Sequence, residues 1–187
     1  QNQDITFASE NLINFKLNKK NEIKNFNIKS KLKSESILVD YKSQRTKKYF
    51  SNFKNQIKFS NTHLDLDYEN KKFKFNLKSK YSINNINENI SLNVEKKDNK
   101  YFFDLNLDLD SAEIDIEELD YKKKASIKSQ LNLNGIYKDN NEIIFKNIDF
   151  SEEEKSINVE NLEIGKNDKI KRLDLLKIDI VNKNRKA

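Results

Sequence analysis

The stretch Leu105–Tyr137, LNLDLDSAEIDIEELDYKKKASIKSQLNLNGIY, decides how the chain is read. It opens with Leu105, Leu107 and Leu109 alternating with Asn106, Asp108 and Asp110. A period of two marks a strand with one dry face and one wet face. The pattern returns at Ile114 and Ile116, changes parity before Leu119 and Tyr121, and resumes at Ile127, Leu131 and Leu133. The same alternation extends outward in both directions. Upstream it runs through Ile13–Leu17, Phe26 and Ile28, Ile37–Tyr41, Ile57 and Phe59, then Leu64 and Leu66, Phe73, Phe75 and Leu77, and Ile90, Leu92 and Val94. Downstream it runs through Ile143 and Phe145, Ile148 and Phe150, Ile157 and Val159, and Leu162 and Ile164.

Polar breaks set the expected turns. Residues 1–10 read as a lead-in with a short strand at Ile5–Phe7, and Lys42–Lys48 as a basic loop. The clearest hairpin joins His63–Tyr68 to Phe73–Leu77. Its turn lacks Gly, which predicts a connection longer than two residues. Lys169–Asn182 fits either a helical stripe or two strand pieces around a bulge, and strand agrees with everything before it. Strands spaced this regularly, without a helical period, give an all-β chain.

Composition narrows the functional classes. Apolar and charged residues each make up 35% of the 187 residues, a balance that usually signals disorder. Here the apolar residues sit at alternate positions and are strand formers, so order is expected. The net charge is +6, carried almost wholly by Lys, with Arg only at 45, 172 and 185. Nucleic-acid binding would call for Arg and a basic stripe, so no nucleic-acid partner is expected. There is no Cys, hence no disulfide framework and no thiolate metal site. No run of apolar residues is long enough for a spanning helix, and no signal peptide is visible.

Catalytic and metal chemistry find little to stand on. His63 is the only histidine and has no partner motif, so it reads as a surface residue. Asp104, Asp108, Asp110 and Asp115 lack the Gly-bent loop of a calcium site and read as a solvated face. Lys122–Lys124 reads as a loop of solvated lysines. The two glycines, Gly135 and Gly165, are isolated and form no phosphate cradle. No enzyme, metal or cofactor is expected.

About a dozen strands with one dry face expose more apolar surface than an ordinary monomer tolerates. With no amphipathic helices to cover it, the cover is the sheet folded on itself as a β-sandwich, a protein partner, or lipid. A transmembrane barrel is disfavoured because Phe and Tyr are not gathered in girdles. The expected architecture is an elongated, curved antiparallel sheet forming an open hydrophobic groove, with the β-sandwich as the alternative. The expected lining is Phe26, Ile28, Leu64, Leu66, Phe73, Phe75, Leu77, Ile90, Leu92, Val94, Leu107, Ile157 and Val159. It also includes Leu105, Leu109, Ile114, Ile116, Ile127, Leu131, Leu133, Ile143 and Phe145.

The block Leu107-Asp-Leu-Asp-Ser-Ala112-Glu-Ile114, followed by Ile116-Glu-Glu-Leu119-Asp-Tyr121-Lys-Lys123-Lys-Ala125, resembles the AsmA-like superfamily, YhdP type (TamB/YhdP-like). That pattern reads Leu-Asp-Leu-Thr-x-Ala, then Pro-x-Leu-Gly-Trp-x-Lys-Pro-x-Gly. Here Asp110 stands for the Thr and Tyr121 for the Trp, while Lys124 and Ser126 occupy Pro and Gly positions. The resemblance is strongest over residues 105–182 and only architectural before that. It implies one β-groove segment, residues 1–187, cut from a longer chain. It further implies a periplasmic protein of a Gram-negative bacterium, anchored in the inner membrane by a segment not present here. Such a protein carries phospholipid between the inner and outer membranes, serves outer-membrane biogenesis, and has no catalytic residues.

Overall fold

The computed structural model describes residues 6–180, except 70, 71, 84, 140, 167 and 168 and the side chain of Arg45. The chain is all-β, and its main sheet is antiparallel, 11-stranded and not closed into a barrel. The early strands are β1 (Phe7–Leu17), β2 (Ile23–Asp40), β3 (Gln56–Glu69), β4 (Lys72–Ser82), β5 (Glu88–Lys97) and β6 (Lys100–Asp108). A two-stranded sheet, β7 (Ile114–Ile116) and β8 (Tyr121–Lys123), follows. The main sheet resumes with β9 (Ser129–Lys138), β10 (Glu142–Glu152), β11 (Lys155–Ile164), β12 (Ile170–Arg172) and β13 (Leu175–Asp179). Its order is β1-β2-β3-β4-β5-β6-β9-β10-β11-β12, with β13 also paired to β11. From β1 to β12 each strand of this sheet neighbours the next in sequence except at β6–β9, where β7 and β8 are left out, and β13 returns to β11 instead of pairing with β12. The β-sandwich is not the arrangement: among the described residues the only second sheet is the β7–β8 pair.

Several strands are longer than their polar breaks predicted. β1 takes in the whole lead-in from Phe7, while Ile5 lies outside the described residues. β2 and β3 each fuse two expected pieces. β3 does so through Asn61, at φ 51°, where its register to β4 shifts. A left-handed residue turns the following side chains over without ending the strand. The basic segment 42–48 is not a loop throughout. It holds a short helix, α1 (Gln44–Tyr49), started by Ser43, whose hydroxyl accepts from the Thr46 N–H at 3.1 Å. Six residues are too few to show a helical period, so only the cap residue signalled it. The described part of Lys169–Asn182 holds two strand pieces, β12 and β13, and no helix.

The hairpin turns need no glycine. Glu69 pairs with Lys72, so the connection is two residues and not the longer loop predicted. Elsewhere Asn21, Asp98, Asn141 and Glu153 supply the positive φ at turns, between 48° and 62°. Asn and Asp tolerate this conformation better than other residues that carry a Cβ.

Gly135 is needed for closeness, not for a turn. It sits in register between Phe103 of β6 and Phe145 of β10. The two rings meet edge-to-face across it, with centroids 5.8 Å apart. A Cβ on Gly135 would strike the Ile144 carbonyl and come within 2.7 Å of the Phe103 ring. Gly135→Val is therefore expected to destabilise the sheet by about 1–3 kcal/mol, as overpacked sites do. Chemical denaturation of the two proteins measures this, and an unchanged midpoint would contradict the packing described.

Candidate functional site

Register decides which side chains share a face. Leu32, Leu64, Leu77, Leu92, Leu105, Leu133, Ile148, Val159 and Leu176 are successive cross-strand partners from β2 to β13. At about 4.8 Å per strand this aliphatic ladder runs for about 38 Å. One residue along each strand the other face carries Lys78, Ser91, Asn106, Asn132, Asp149, Asn158 and Lys177, also in register. The sheet is thus apolar on one side and polar on the other over most of its width. His63 is exposed on the polar face, opposite Lys33 and Lys78. Asp104 and Asp108 share that face and engage Asn106 and Asn89 through their amides, at 2.9 and 2.7 Å.

All but four of the side chains expected to line the face do lie on it. They form cross-strand rows on either side of the ladder: Ile28 and Leu66 with Phe73 and Phe75, Val94 with Phe103, and Ile90 with Leu107 and Leu131. Phe26 joins them through its ring contact with Tyr68. Ile143, Phe145, Ile157 and Val159 continue the rows on β10 and β11. The face also holds residues not singled out from sequence, among them Leu32, Tyr101, Phe103, Tyr137, Ile148 and Lys96. Tyr101 and Phe103 precede Leu105 in phase and were legible. Lys96 is in phase with Val94, but a charged residue adds nothing to an apolar alternation.

The four exceptions are Leu109, Ile114, Ile116 and Ile127. The chain leaves the sheet after Asp108 and returns at Ser129. The excursion folds over one end of the apolar face as a cap. Leu109 and Ile114 are buried there with Ala112, Tyr121 and Phe150, and Ile116 packs against them. Ile127 lies in a bend before β9, not on a strand. These positions close the end of the face and do not line its open part.

The cap is closed by buried polar groups. The Glu88 carboxylate accepts from the Ser111 N–H and hydroxyl, both at 2.7 Å. Asp110 accepts from the Ser129 N–H at 2.7 Å. The Tyr121 hydroxyl donates to Glu152, which Lys155 also engages at 3.1 Å. Asn52, beyond α1, donates to the Ser111 carbonyl at 2.9 Å and accepts from the Glu113 N–H at 3.2 Å. Asp110 and Asp115 thus belong to the cap and not to a solvated strand face, Asp115 pairing with Lys122 at 2.7 Å.

Lys123 corrects the reading of its cluster as solvated. It is buried, and its ammonium donates to the carbonyls of Asp110, Ala112 and Lys124 at 3.0, 2.8 and 3.1 Å. Burial pushes its pKa down, opposed by Glu152, Glu88 and Asp110. Burial pushes the Tyr121 hydroxyl well above the ordinary tyrosine range, reinforced by Glu152, so it remains a donor. Lys123→Met keeps the length of the stem but strips three carbonyls of their donor. A loss of about 2–4 kcal/mol is expected, read as a lowered unfolding midpoint. An unchanged midpoint would remove Lys123 from the structure of the cap.

Among the described residues no three His, Cys, Asp or Glu side chains converge as metal ligands, and no helix is long and apolar enough to cross a membrane. No family model matches the chain, and no curated protein or solved structure is matched to it.

Proposed function

We propose that the open apolar face is a floor for lipid acyl chains, in a groove segment that carries phospholipid. The observation that supports this most is the aliphatic ladder, uncovered on one side and backed by polar side chains on the other. The strip between the cap and the far turns spans about 38 Å by about 20 Å at ordinary strand dimensions. That exceeds the roughly 300–600 Å² that ordinary soluble monomers leave open. Each methylene laid on such a floor gains about 0.8 kcal/mol from leaving water. The attraction has no preferred direction. A chain moving from one leucine column to the next exchanges equivalent contacts and meets no high barrier.

The resemblance of residues 107–125 to AsmA-like, YhdP-type proteins supports the wider setting. In this reading the segment belongs to a periplasmic bridge anchored in the inner membrane elsewhere in the chain, and delivers phospholipid between inner and outer membranes. It performs no catalysis. The competing reading is a structural module whose face is covered by protein and has no lipid role.

Lipid extraction from the purified chain separates the two. Bound phospholipid is expected by mass spectrometry, with at least a tenfold loss in Leu92→Asp, whose side chain lies mid-ladder. Asn106→Asp, on the polar face, is expected to retain lipid. A lipid-free wild-type protein that also takes up none from vesicles would favour the protein-covered module.

A further inference from the structure

Charged groups on the apolar face of β2–β11 are confined to two borders, and the borders differ. At the cap border stand Glu88, Glu152 and Lys155. Each is satisfied within the protein: Glu88 by Ser111, and Glu152 by Tyr121 and Lys155. The opposite border lies beside the turns at 97–100 and 138–142. There Tyr68, Phe73, Lys96, Tyr101 and Tyr137 form one registered row across β3, β4, β5, β6 and β9.

Lys96 is the one charged side chain of that row. Its ammonium donates to the Tyr101 hydroxyl at 3.0 Å and stands 4.8 Å over the Tyr101 ring. Glu95 faces the other side of the sheet and pairs with Lys74 and Lys97, at 3.5 and 3.3 Å. Asp139 acts on Lys96 only at longer range. Among the described residues no carboxylate forms an ion pair with it. The Tyr137 hydroxyl donates to Asn141 in the edge turn at 2.8 Å, and phenols of this kind, apolar in the ring and polar at the head, are the side chains found at a membrane–water boundary.

From Lys96 to Ile90 the face runs about 20 Å along β5 at strand rise. One leaflet of hydrocarbon is about 15 Å deep, half of a bilayer core. A chain lying along Val94, Leu92 and Ile90 with its head at Lys96 therefore ends before the cap. The reverse orientation would set a phosphate against Glu88 and Glu152.

We propose that Lys96, with Tyr101, Tyr68 and Tyr137 along the same border, receives the anionic phosphate headgroup of a phospholipid whose acyl chains point toward the cap. This rests on the acyl-floor reading above. It adds a polarity: lipids lie along the strands, heads on one border, and move across the strands with that border as their rail.

The test uses the whole chain, stripped of lipid. It is incubated with vesicles carrying either phosphatidylglycerol or diacylglycerol of the same chain length, and bound lipid per protein is counted by mass spectrometry. Wild type is expected to take up both and to prefer phosphatidylglycerol. Lys96→Gln is expected to lower phosphatidylglycerol uptake about fivefold, the scale of one lysine near an anionic lipid surface. Lys96→Glu lowers it further, and both variants leave diacylglycerol uptake unchanged. Lys78→Glu, on the polar face, alters neither lipid. Undiminished phosphatidylglycerol uptake in Lys96→Glu would overturn the headgroup assignment and leave the floor standing. Loss of both lipids in both variants would assign Lys96 a merely structural role and overturn it too. Uptake of neither lipid by wild type would defeat the floor itself.

Discussion

Strand register is the constraint on which the rest of this molecule depends. A sheet with a dry and a wet face fails if one strand slips by one residue, since every side chain then changes sides. A slip of β2 against β3 would set Lys31 or Lys33, not Leu32, opposite Leu64. The chain fixes register locally, with short turns whose positive φ comes from Asn, Asp and Glu. It also corrects register where the apolar phase changes. Phe145 and Ile148 on β10 differ in parity, and so do Leu162 and Val159 on β11, yet Phe145 pairs with Leu162 and Ile148 with Val159. Adjacent strands change phase at the same level, so the ladder continues across the irregularity. Asn161, at φ 50°, and the unpaired position between Phe145 and Asn147 are where this happens.

A long single-layer sheet has no interior of its own. Apart from Phe53 and Tyr81, the buried apolar side chains among the described residues gather at the cap, as Leu109, Ala112, Ile114, Tyr121 and Phe150. The remaining apolar side chains are sheltered mainly by their lateral neighbours, and those on the outer strands are widely exposed, Phe7 at 58% and Ile170 at 66%. Stability in the middle of the sheet then depends on backbone ladders and cross-strand pairs rather than on a packed second layer. With no second layer packed on it among the described residues, the middle of the apolar face has no filled interior to be broken before something can lie on it.

The cap solves a different problem. Where the apolar floor stops, strand ends and turning backbone would leave polar groups facing a dry surface. Glu88, Asp110, Asn52 and Lys123 meet those groups one by one. The departures from the resembled pattern are used here: Asp110 engages the start of β9, and Tyr121 carries a hydroxyl to Glu152. Charge at this border is consumed internally, whereas at the opposite border the Lys96 cation rests on Tyr101 with no carboxylate paired to it among the described residues. That difference gives the face a direction that an apolar surface alone does not have.

Alternation by itself determined that the chain is all-β and, within the main sheet, most of the residues that stand on the apolar face. The signal is local, because a two-residue period needs no knowledge of the neighbouring strand. Leu64–Leu77 and Leu92–Leu105 could be placed on one face for that reason. What lies between Asp108 and Ser129 was decided only by tertiary structure. Leu109, Ile114 and Ile116 alternate as well as any strand, yet they leave the sheet. β6 already has its partner in β9, some twenty residues further along, and the intervening segment finds its own core against Phe150. The burial of Lys123 likewise depends on carbonyls that converge only once the cap has closed. Sequence periodicity carries the faces of strands, but the choice of partners and the closure of ends are long-range contacts, and only the folded chain contains them.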